Sequence, residues 1–224
     1  MKLDIEEIAR KILNAKPNFT TIAMPDFFID HFILYPSSLQ NLLEDINETA
    51  NRYGGNIFKG KHYLLRGGCA ANFASALAKL GAKVKLITET SEIGLQILKT
   101  YAKNVDLKHV KIGKISSITA ALEVKVGERH VNIMFSDPGP ASNFGPEKLD
   151  KKDYEAILNS NFVSLFSWNM NKKGTELVKN VFEKVKSHGK GKTYLDIGDP
   201  TWRIDELKKL INDVLKKDLV DSLS

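Results

Sequence analysis

A pair of glycines followed by an alanine-rich helical pattern is the feature that most constrains how this chain folds. Residues 66–81 have the sequence Arg-Gly-Gly-Cys-Ala-Ala-Asn-Phe-Ala-Ser-Ala-Leu-Ala-Lys-Leu-Gly. Gly67 and Gly68 allow the main chain to approach a ligand closely and place uncapped backbone N–H groups at the start of a helix. Asn72 follows in the first turn, where its amide can donate and accept hydrogen bonds. The pattern predicts a tight turn and a helix that packs closely on a sheet and ends at Gly81.

Other interpretations of this stretch are open or excluded by its spacing. A glycine turn before a helix is also typical of a plain connection. The spacing does not match the dinucleotide fingerprint G-x-G-x-x-G, and a P-loop is excluded because no Lys-Ser/Thr pair follows. Cys69 is the only cysteine, so an internal disulfide is excluded and a reducing cytosol is favoured. Because no Cys or His lies in ligand spacing, Cys69 is interpreted as a small filling residue rather than a nucleophile.

Apolar periodicity along the chain predicts alternating helices and strands, which indicates a parallel sheet with helices on both faces. Residues 119–126 and 130–135 form the clearest hairpin pattern, with Gly127-Glu128 as the turn. Pro36 is expected to stop an extended piece, and the amphipathic helix at 2–15 is expected to dock on the domain. Strands are predicted at 19–24, 32–35, 57–58, 62–65, 84–87, 108–112, 161–168, 193–197 and 219–223, and further helices at 37–53, 95–102, 177–185 and 207–215.

Two carboxylates follow the strand at 19–24, where open α/β sheets bind ligands. Asp26 and Asp30 are therefore candidates for a polar site, since ionised carboxylates accept hydrogen bonds from paired sugar hydroxyls. The alternative interpretation is that Asp26 caps a turn and Asp30 is a solvated loop charge. His31 is interpreted as structural because no Ser or Cys nucleophile pattern accompanies it.

The string G-G-x-x-A-N-x-A-x-x-L-A-x-L-G in residues 67–81 resembles the N-terminal substrate motif of the ribokinase-like (PfkB) family of sugar and nucleoside kinases. The resemblance implies that Gly67, Gly68 and Asn72 grip sugar hydroxyls and that Asp30 is the sugar-binding aspartate. It implies a ribokinase-like α/β fold with a parallel-rich central sheet, helices on both faces and a small β lid. The lid strands are expected at about 30–35, 57–66 and 119–135, and residues 1–224 are expected to form an incomplete domain of this kind.

The resemblance also implies a reaction, the ATP-dependent phosphorylation of a substrate hydroxyl with Mg²⁺. In the family, an N-x-x-E motif and then a D-T-x-G-A-G-D motif continue the strand–helix series beyond the point that residue 224 reaches, so no catalytic or metal-binding residue is assigned to this chain. It is expected to carry the acceptor-binding part and not to turn over by itself, because phosphoryl transfer needs a base and charge neutralisation. Asp199 in Asp-Pro-Thr-Trp-Arg resembles the family's D-P-N-x-R segment near the phosphate donor, although a turn before proline is the favoured role.

Charge and composition limit the kinds of partner that this chain can bind. The net charge of +6 comes from scattered basic residues, which argues against nucleic acid and favours phosphorylated small molecules. No segment is long enough and apolar enough to span a membrane, so we expect a cytoplasmic protein that does not bind membranes. Its expected partner is a small molecule, a sugar or a nucleoside. The family often dimerises through its lid strands, which makes a homodimer a further expectation. The alternative is a catalytically inactive truncated relative that acts as a sugar-binding, nucleoside-binding or association module, and a Rossmann-type regulator is disfavoured by the glycine spacing.

Overall fold

The computed structural model describes residues 4–14 and 17–224, apart from the side chains of residues 12 and 13. Helices and strands alternate along most of this length. The helices are α1 (Ile5–Asn14), α2 (Leu39–Asn51), α3 (Cys69–Lys79), α4 (Glu92–Tyr101), α5 (Lys151–Leu158), α6 (Gly174–His188) and α7 (Ile204–Asp213). The strands are β1 (Thr20–Met24), β2 (Phe28–Ser38), β3 (Lys61–Gly67), β4 (Lys83–Leu86), β5 (Thr88–Thr90), β6 (Val105–Asp106), β7 (Val110–Ile112), β8 (Ser117–Val126), β9 (Arg129–Asp137), β10 (Phe162–Leu165), β11 (Lys192–Leu195) and β12 (Ser222–Leu223).

A six-stranded sheet in the order β12-β11-β10-β1-β4-β6 forms the centre of the molecule, and all its neighbouring strands are parallel. Successive side chains of a strand point to opposite faces, so β1 contributes to both cores. Ile22 and Met24 pack with α5, α6 and α7, whereas Ala23 packs with α3 and α4. The predicted parallel sheet with helices on both faces is therefore confirmed.

A four-stranded sheet in the order β3-β2-β8-β9 lies beside the carboxyl end of β1. Strand β2 pairs antiparallel with β3 and parallel with β8, and β8 pairs antiparallel with β9. The last pair confirms the predicted hairpin. We call this element the small sheet. Its first strand, β2, is separated from the end of β1 by only three residues, 25–27. It lies where the sequence predicted lid strands.

Two predictions about secondary structure are wrong, and one helix was missed. Pro36 does not stop the extended piece, because β2 runs to Ser38 and the register of its pairing with β8 shifts between Leu34 and Ser38. This irregularity accommodates a proline, which cannot donate a ladder hydrogen bond. Ile57 and Phe58 lie outside any strand, and Phe58 is 90% exposed. Helix α5 was not predicted.

Helix α1 also differs from its prediction. Ile5 and Ile8 are 77% and 40% exposed, so the described part of the apolar face does not pack on the domain. The predicted residues 2, 3 and 15 of this helix and the side chains of residues 12 and 13 lie outside the described part of the chain. Within the described ranges, no helix combines the length and apolar character that crossing a bilayer requires.

The first prediction concerns the hydrophobic core around α6. Phe182 is fully buried among β1, β10 and α7, so Phe182→Ala should destabilise the protein by about 3–5 kcal/mol through lost burial and a cavity. Phe58→Ala removes the same atoms from an exposed loop and should change the free energy of unfolding by less than about 0.5 kcal/mol. Urea unfolding followed by circular dichroism measures both values, and equal losses would contradict the described packing.

Candidate functional site

Asp26 caps helix α3 from a distant part of the chain. Its Oδ2 accepts the N–H of Cys69 at 2.6 Å and its Oδ1 accepts the N–H of Ala70 at 3.0 Å. Gly68 occupies the N-cap position and has no side chain to do this. The expectation that these N–H groups are uncapped and available to a ligand is therefore wrong. The physical reason is that buried backbone donors need a partner, and Asp26 at 1% exposure supplies it.

Gly68 fits tightly against the segment that holds Asp26. A Cβ at this position would lie 2.9 Å from Phe27 Cα and 3.0 Å from the Asp26 carbonyl oxygen. The backbone of Gly68 has a φ of +89°, a conformation that residues with a Cβ rarely adopt. Both observations explain why the turn between β3 and α3 needs glycine here.

Asp30 lies directly against Gly67. A Cβ on Gly67 would be 2.1 Å from Asp30 Oδ2, so the carboxylate occupies the space that any other side chain would fill. Asp30 is half-buried, and among the residues that the structure describes no donor is assigned to its carboxylate. Burial raises the pKa of Asp30 above its usual value of 3.8. The two places that the sequence singled out are thus in contact.

Asn72 lies in the first turn of α3, where its N–H donates to the carbonyl of Gly68 at 2.9 Å. Its side chain is exposed, and its Oδ1 accepts a hydrogen bond from Arg66 Nη1. The structure thus ties Asn72 to Arg66 rather than to Asp30. Arg66 was not predicted as a site residue, although a basic residue directly before Gly67 was a signal in the sequence.

A row of polar side chains crosses the small sheet beside Asp30. Asp30 is paired with Thr119 across β2 and β8, and Thr119 with Ser136 across β8 and β9. Directly paired residues point to the same face of a sheet, so these three side chains share the face of Asp30. The Thr119 and Ser136 hydroxyl oxygens are 3.0 Å apart. The sequence could not reveal this row because it depends on the register of three strands.

The ends of neighbouring strands of the large sheet add further polar groups. Ser167, just after β10, has a left-handed backbone with φ 54° and is 4% exposed. Burial raises the pKa of Asp26, although hydrogen bonds from Ala70, Cys69 and Ser167 partly oppose this effect. The carboxyl ends of β1 and β10 and the start of α3 therefore meet at one place.

Asp199 and Asp196 follow β11 and form turns. Asp199 Oδ1 accepts the N–H of Thr201 at 3.0 Å, which confirms the favoured interpretation of Asp199 as a turn-forming residue. Asp196 Oδ1 accepts the N–H of Gly198 at 2.8 Å. Within residues 4–14 and 17–224, no three His, Cys, Asp or Glu side chains are grouped as a metal ion would require. We therefore assign no metal ligand among the described residues.

No protein-family model matches the sequence, and neither does any curated protein. Solved structures do match. An uncharacterized sugar kinase from Pyrococcus horikoshii has a TM-score of 0.60 at 17% identity, over 91% of this chain and 64% of that protein. A PfkB protein from a Polaromonas species has a TM-score of 0.65 at 15% identity, with the same shares covered. Arabidopsis thaliana ribokinase, solved with ribose and ATP, has a TM-score of 0.59 at 18% identity, over 82% of this chain and 54% of that protein.

These likenesses establish the fold. The chain has the ribokinase-like α/β fold that the motif at residues 67–81 predicted, with a parallel central sheet flanked by helices. It spans between 54% and 64% of the length of these three proteins.

The two glycines should respond differently to substitution. Gly68→Ala forces a Cβ against backbone atoms at positive φ and should destabilise the protein by about 1–3 kcal/mol. The three atoms nearest to a Cβ on Gly67 all belong to the carboxylate group of Asp30, a side chain that can move to another rotamer, so Gly67→Ala should change the free energy of unfolding by less than about 1 kcal/mol. Urea unfolding of both variants tests this difference, and a larger loss for Gly67→Ala would contradict the described geometry.

Proposed function

We propose that this chain carries the acceptor-binding part of an ATP-dependent sugar or nucleoside kinase, an enzyme that phosphorylates a substrate hydroxyl. The observation that carries the proposal is the half-buried Asp30 carboxylate, which lies against Gly67 and accepts no hydrogen bond from the part of the chain that the structure describes. The ribokinase-like fold supports it, as does the Arabidopsis ribokinase, which was solved with ribose and ATP.

The chemistry of the acceptor site follows from the side chains at the β3–α3 turn. Asp30 offers two oxygens, which suits a pair of neighbouring hydroxyls on a sugar ring. Gly67 has no Cβ, and the space that a Cβ would take is filled by the Asp30 carboxylate, which therefore lies directly against the main chain of the turn. Asn72 adds an exposed amide whose nitrogen is available as a donor. A partly desolvated carboxylate forms stronger hydrogen bonds than a solvated one because the local dielectric constant is lower.

For the phosphate donor, we propose only its chemical identity and assign no binding residues. ATP is the phosphate donor that the fold suggests, and Mg²⁺ would neutralise its charge in such a transfer. Because no three His, Cys, Asp or Glu side chains are grouped among the described residues, we assign no metal ligand and no catalytic base to them. The role proposed for Asp30, Gly67, Gly68 and Asn72 is to bind and orient the acceptor.

Asp30→Asn should weaken binding of the acceptor. The substitution keeps the shape but removes the charged acceptor, and hydrogen bonds to charged groups contribute about 1.5–3 kcal/mol, so the dissociation constant should rise about 10- to 100-fold. Calorimetric titration with hexoses, pentoses and nucleosides measures this. Glu128→Gln, a matched change at a side chain 98% exposed in the β8–β9 turn, should leave binding unchanged.

The same titrations repeated at several pH values give a second readout. The ionised form of Asp30 accepts the hydroxyl protons, and its pKa lies above 3.8 in the folded protein. Affinity should therefore be full at neutral pH and fall as the pH drops through that raised value, before an ordinary aspartate would protonate. The Asp30→Asn variant should show a flat profile, and a wild-type profile without this fall would count against Asp30.

A second candidate function, self-association, is favoured by one surface of the small sheet. Leu64, Ile118 and Phe135 are 52%, 45% and 67% exposed. The strand register places them on the face opposite Asp30. We propose that a second copy of this chain covers the face, because an apolar surface of this kind can pair with itself about a two-fold axis.

Phe135→Lys should shift this protein toward the monomer in sedimentation equilibrium, since a lysine on the apolar face would be desolvated or would repel its symmetry mate. Ile93→Lys introduces the same charge at an α4 residue that is 69% exposed and should leave the oligomeric state unchanged. A wild-type protein that is monomeric at high concentration would overturn the association proposal without affecting the role of Asp30.

A further inference from the structure

Strand β9 forms one edge of the small sheet and is unprotected along its whole length. It has nine residues, pairs with β8 in an unbroken register and has no strand on its other side among the described residues. Natural edge strands are commonly short or carry a lysine, a proline or a bulge, features that block pairing with another chain. The sequence of β9, Arg-His-Val-Asn-Ile-Met-Phe-Ser-Asp, has none of them. Met134 and Phe135 are 63% and 67% exposed, so nothing covers this part of the edge.

The backbone groups that point outward from β9 belong to alternate residues. A two-residue turn at 127–128 joins the paired residues Val126 and Arg129. In such a turn the N–H of the last residue donates to the carbonyl of the first, so the N–H of Arg129 faces β8. Hydrogen-bonding groups alternate along an antiparallel strand. The N–H and C=O groups of residues 130, 132, 134 and 136 therefore point away from β8, where another strand can pair with them.

The side chains of β9 are complementary to those of a second, antiparallel copy of the same strand. Alignment of two copies about Ile133 leaves no residue of the strand unpaired. It places Arg129 opposite Asp137 at both ends. Val131 then lies opposite Phe135, and Ile133 lies opposite itself. Opposite charges and pairs of β-branched with aromatic side chains are the cross-strand neighbours that stabilise a sheet.

The same alignment matches the outward backbone groups. Residues 130 and 132 of one copy meet residues 136 and 134 of the other, and the two-fold axis repeats both meetings. The result is about eight hydrogen bonds, which lies in the range of about 5 to 15 for a typical protein interface. A shift by two residues keeps the backbone groups matched but moves Arg129 away from Asp137. The two charges therefore select the register.

The opposite edge of the small sheet, β3, is not complementary to itself. Its sequence is Lys-His-Tyr-Leu-Leu-Arg-Gly. Antiparallel alignment about its middle residue, Leu64, places His62 opposite Arg66, and β3 has no acidic residue to pair with its basic ones. Self-complementarity is thus a property of β9 and not of every exposed strand in this sheet.

We infer that β9 pairs antiparallel with β9 of a second copy of this chain, about a two-fold axis at Ile133, so that the two small sheets form one continuous sheet. The inference rests on the self-association proposed above and specifies the strand and the register through which the copies meet. Phe135 then packs beside Val131 of the partner subunit. The interface is isologous, because both copies use the same strand.

The pairing brings a side chain of the second copy to the candidate site. Ser136 is the last member of the polar row that begins at Asp30 and passes through Thr119. In the joined sheet, the partner subunit's His130 lies opposite Ser136 on the same face. An imidazole nitrogen can donate to a serine hydroxyl or accept from it. Each copy therefore extends the polar row of the other.

A disulfide cross-link at residue 133 tests the register. In the inferred pair the two Ile133 residues face each other without hydrogen bonds between them, with Cα atoms about 4.5 Å apart, a separation that a disulfide spans. Ile133→Cys is made together with Cys69→Ala, which removes the only native thiol. Mild oxidation should convert this protein to a covalent dimer, measured by non-reducing electrophoresis.

Met134→Cys in the same Cys69→Ala protein is the matched control. Met134 is 63% exposed, so its thiol is readily oxidised by any partner within reach. In the inferred pair, however, the two Cα atoms of residue 134 lie about 8 Å apart, which a disulfide does not span. This variant should stay a single chain on the same gel.

Sedimentation equilibrium of charge variants tests the pairing without changing an apolar side chain. Arg129→Asp places an acidic residue opposite Asp137 at both ends of the pair and should raise the dissociation constant of the dimer about tenfold or more. Arg129→Asp combined with Asp137→Arg restores opposite charges and should return the constant to within about threefold of the wild-type value. Arg52→Asp makes the same change at the exposed residue after α2 and should have no effect.

The results separate this inference from the proposals on which it builds. A dimer that does not cross-link through residue 133, or that cross-links equally through residue 134, overturns the inference and leaves the association itself standing. An unchanged dissociation constant in Arg129→Asp, or a reversed pair that stays as weak as the single variant, also overturns it. A wild-type protein that is monomeric at high concentration overturns both the association and the inference. The role of Asp30 fails separately, when Asp30→Asn leaves the binding of every sugar and nucleoside unchanged.

Discussion

The hydrogen bonds from Cys69 and Ala70 to the buried carboxylate of Asp26 are the contact on which the rest of the site depends. They join Asp26, two residues after the end of β1, to the start of α3, 43 and 44 positions further along the chain. This contact sets the position of the β3–α3 turn, and the turn sets the position of Gly67. Asp30 reaches Gly67 from the strand that follows Asp26 directly. The buried carboxylate of Asp26 therefore positions both parts of the candidate substrate site, Gly67 and Asp30.

Burial gives each of the two aspartates a different task. Asp26 is buried, and its carboxylate oxygens accept hydrogen bonds from backbone N–H groups, which is a structural role. Asp30, four residues later, is half-buried and accepts no hydrogen bond from the residues that the structure describes, which is why we propose it as the ligand-binding carboxylate. The sequence placed both carboxylates at the outlet of a strand and could not separate the two roles, because the separation depends on which side chain faces α3.

The features that local chemistry determines were predictable from the sequence. The glycine pair, the alanine-rich stripe of α3 and the β8–β9 hairpin follow from short patterns, and the order of strands and helices indicated the parallel sheet. The capping by Asp26, the row from Asp30 to Ser136 and the position of Arg66 were not predictable, because each depends on residues distant in sequence. Helix α5 was missed because it is short and mostly polar, and it is stabilised by a capping box between Asp150 and Asp153.

The short connection between the two sheets has a mechanical consequence. The chain passes from the large sheet to the small one through residues 25–27 and returns to α3 through the turn at Gly68, and these two crossings touch each other. A pivot between the sheets would lie at this contact, with Asp30 close to the axis and the hairpin tip at Gly127 far from it. A rotation of the small sheet about this contact would thus move the hairpin tip through a wide arc while the Asp30 carboxylate barely moved.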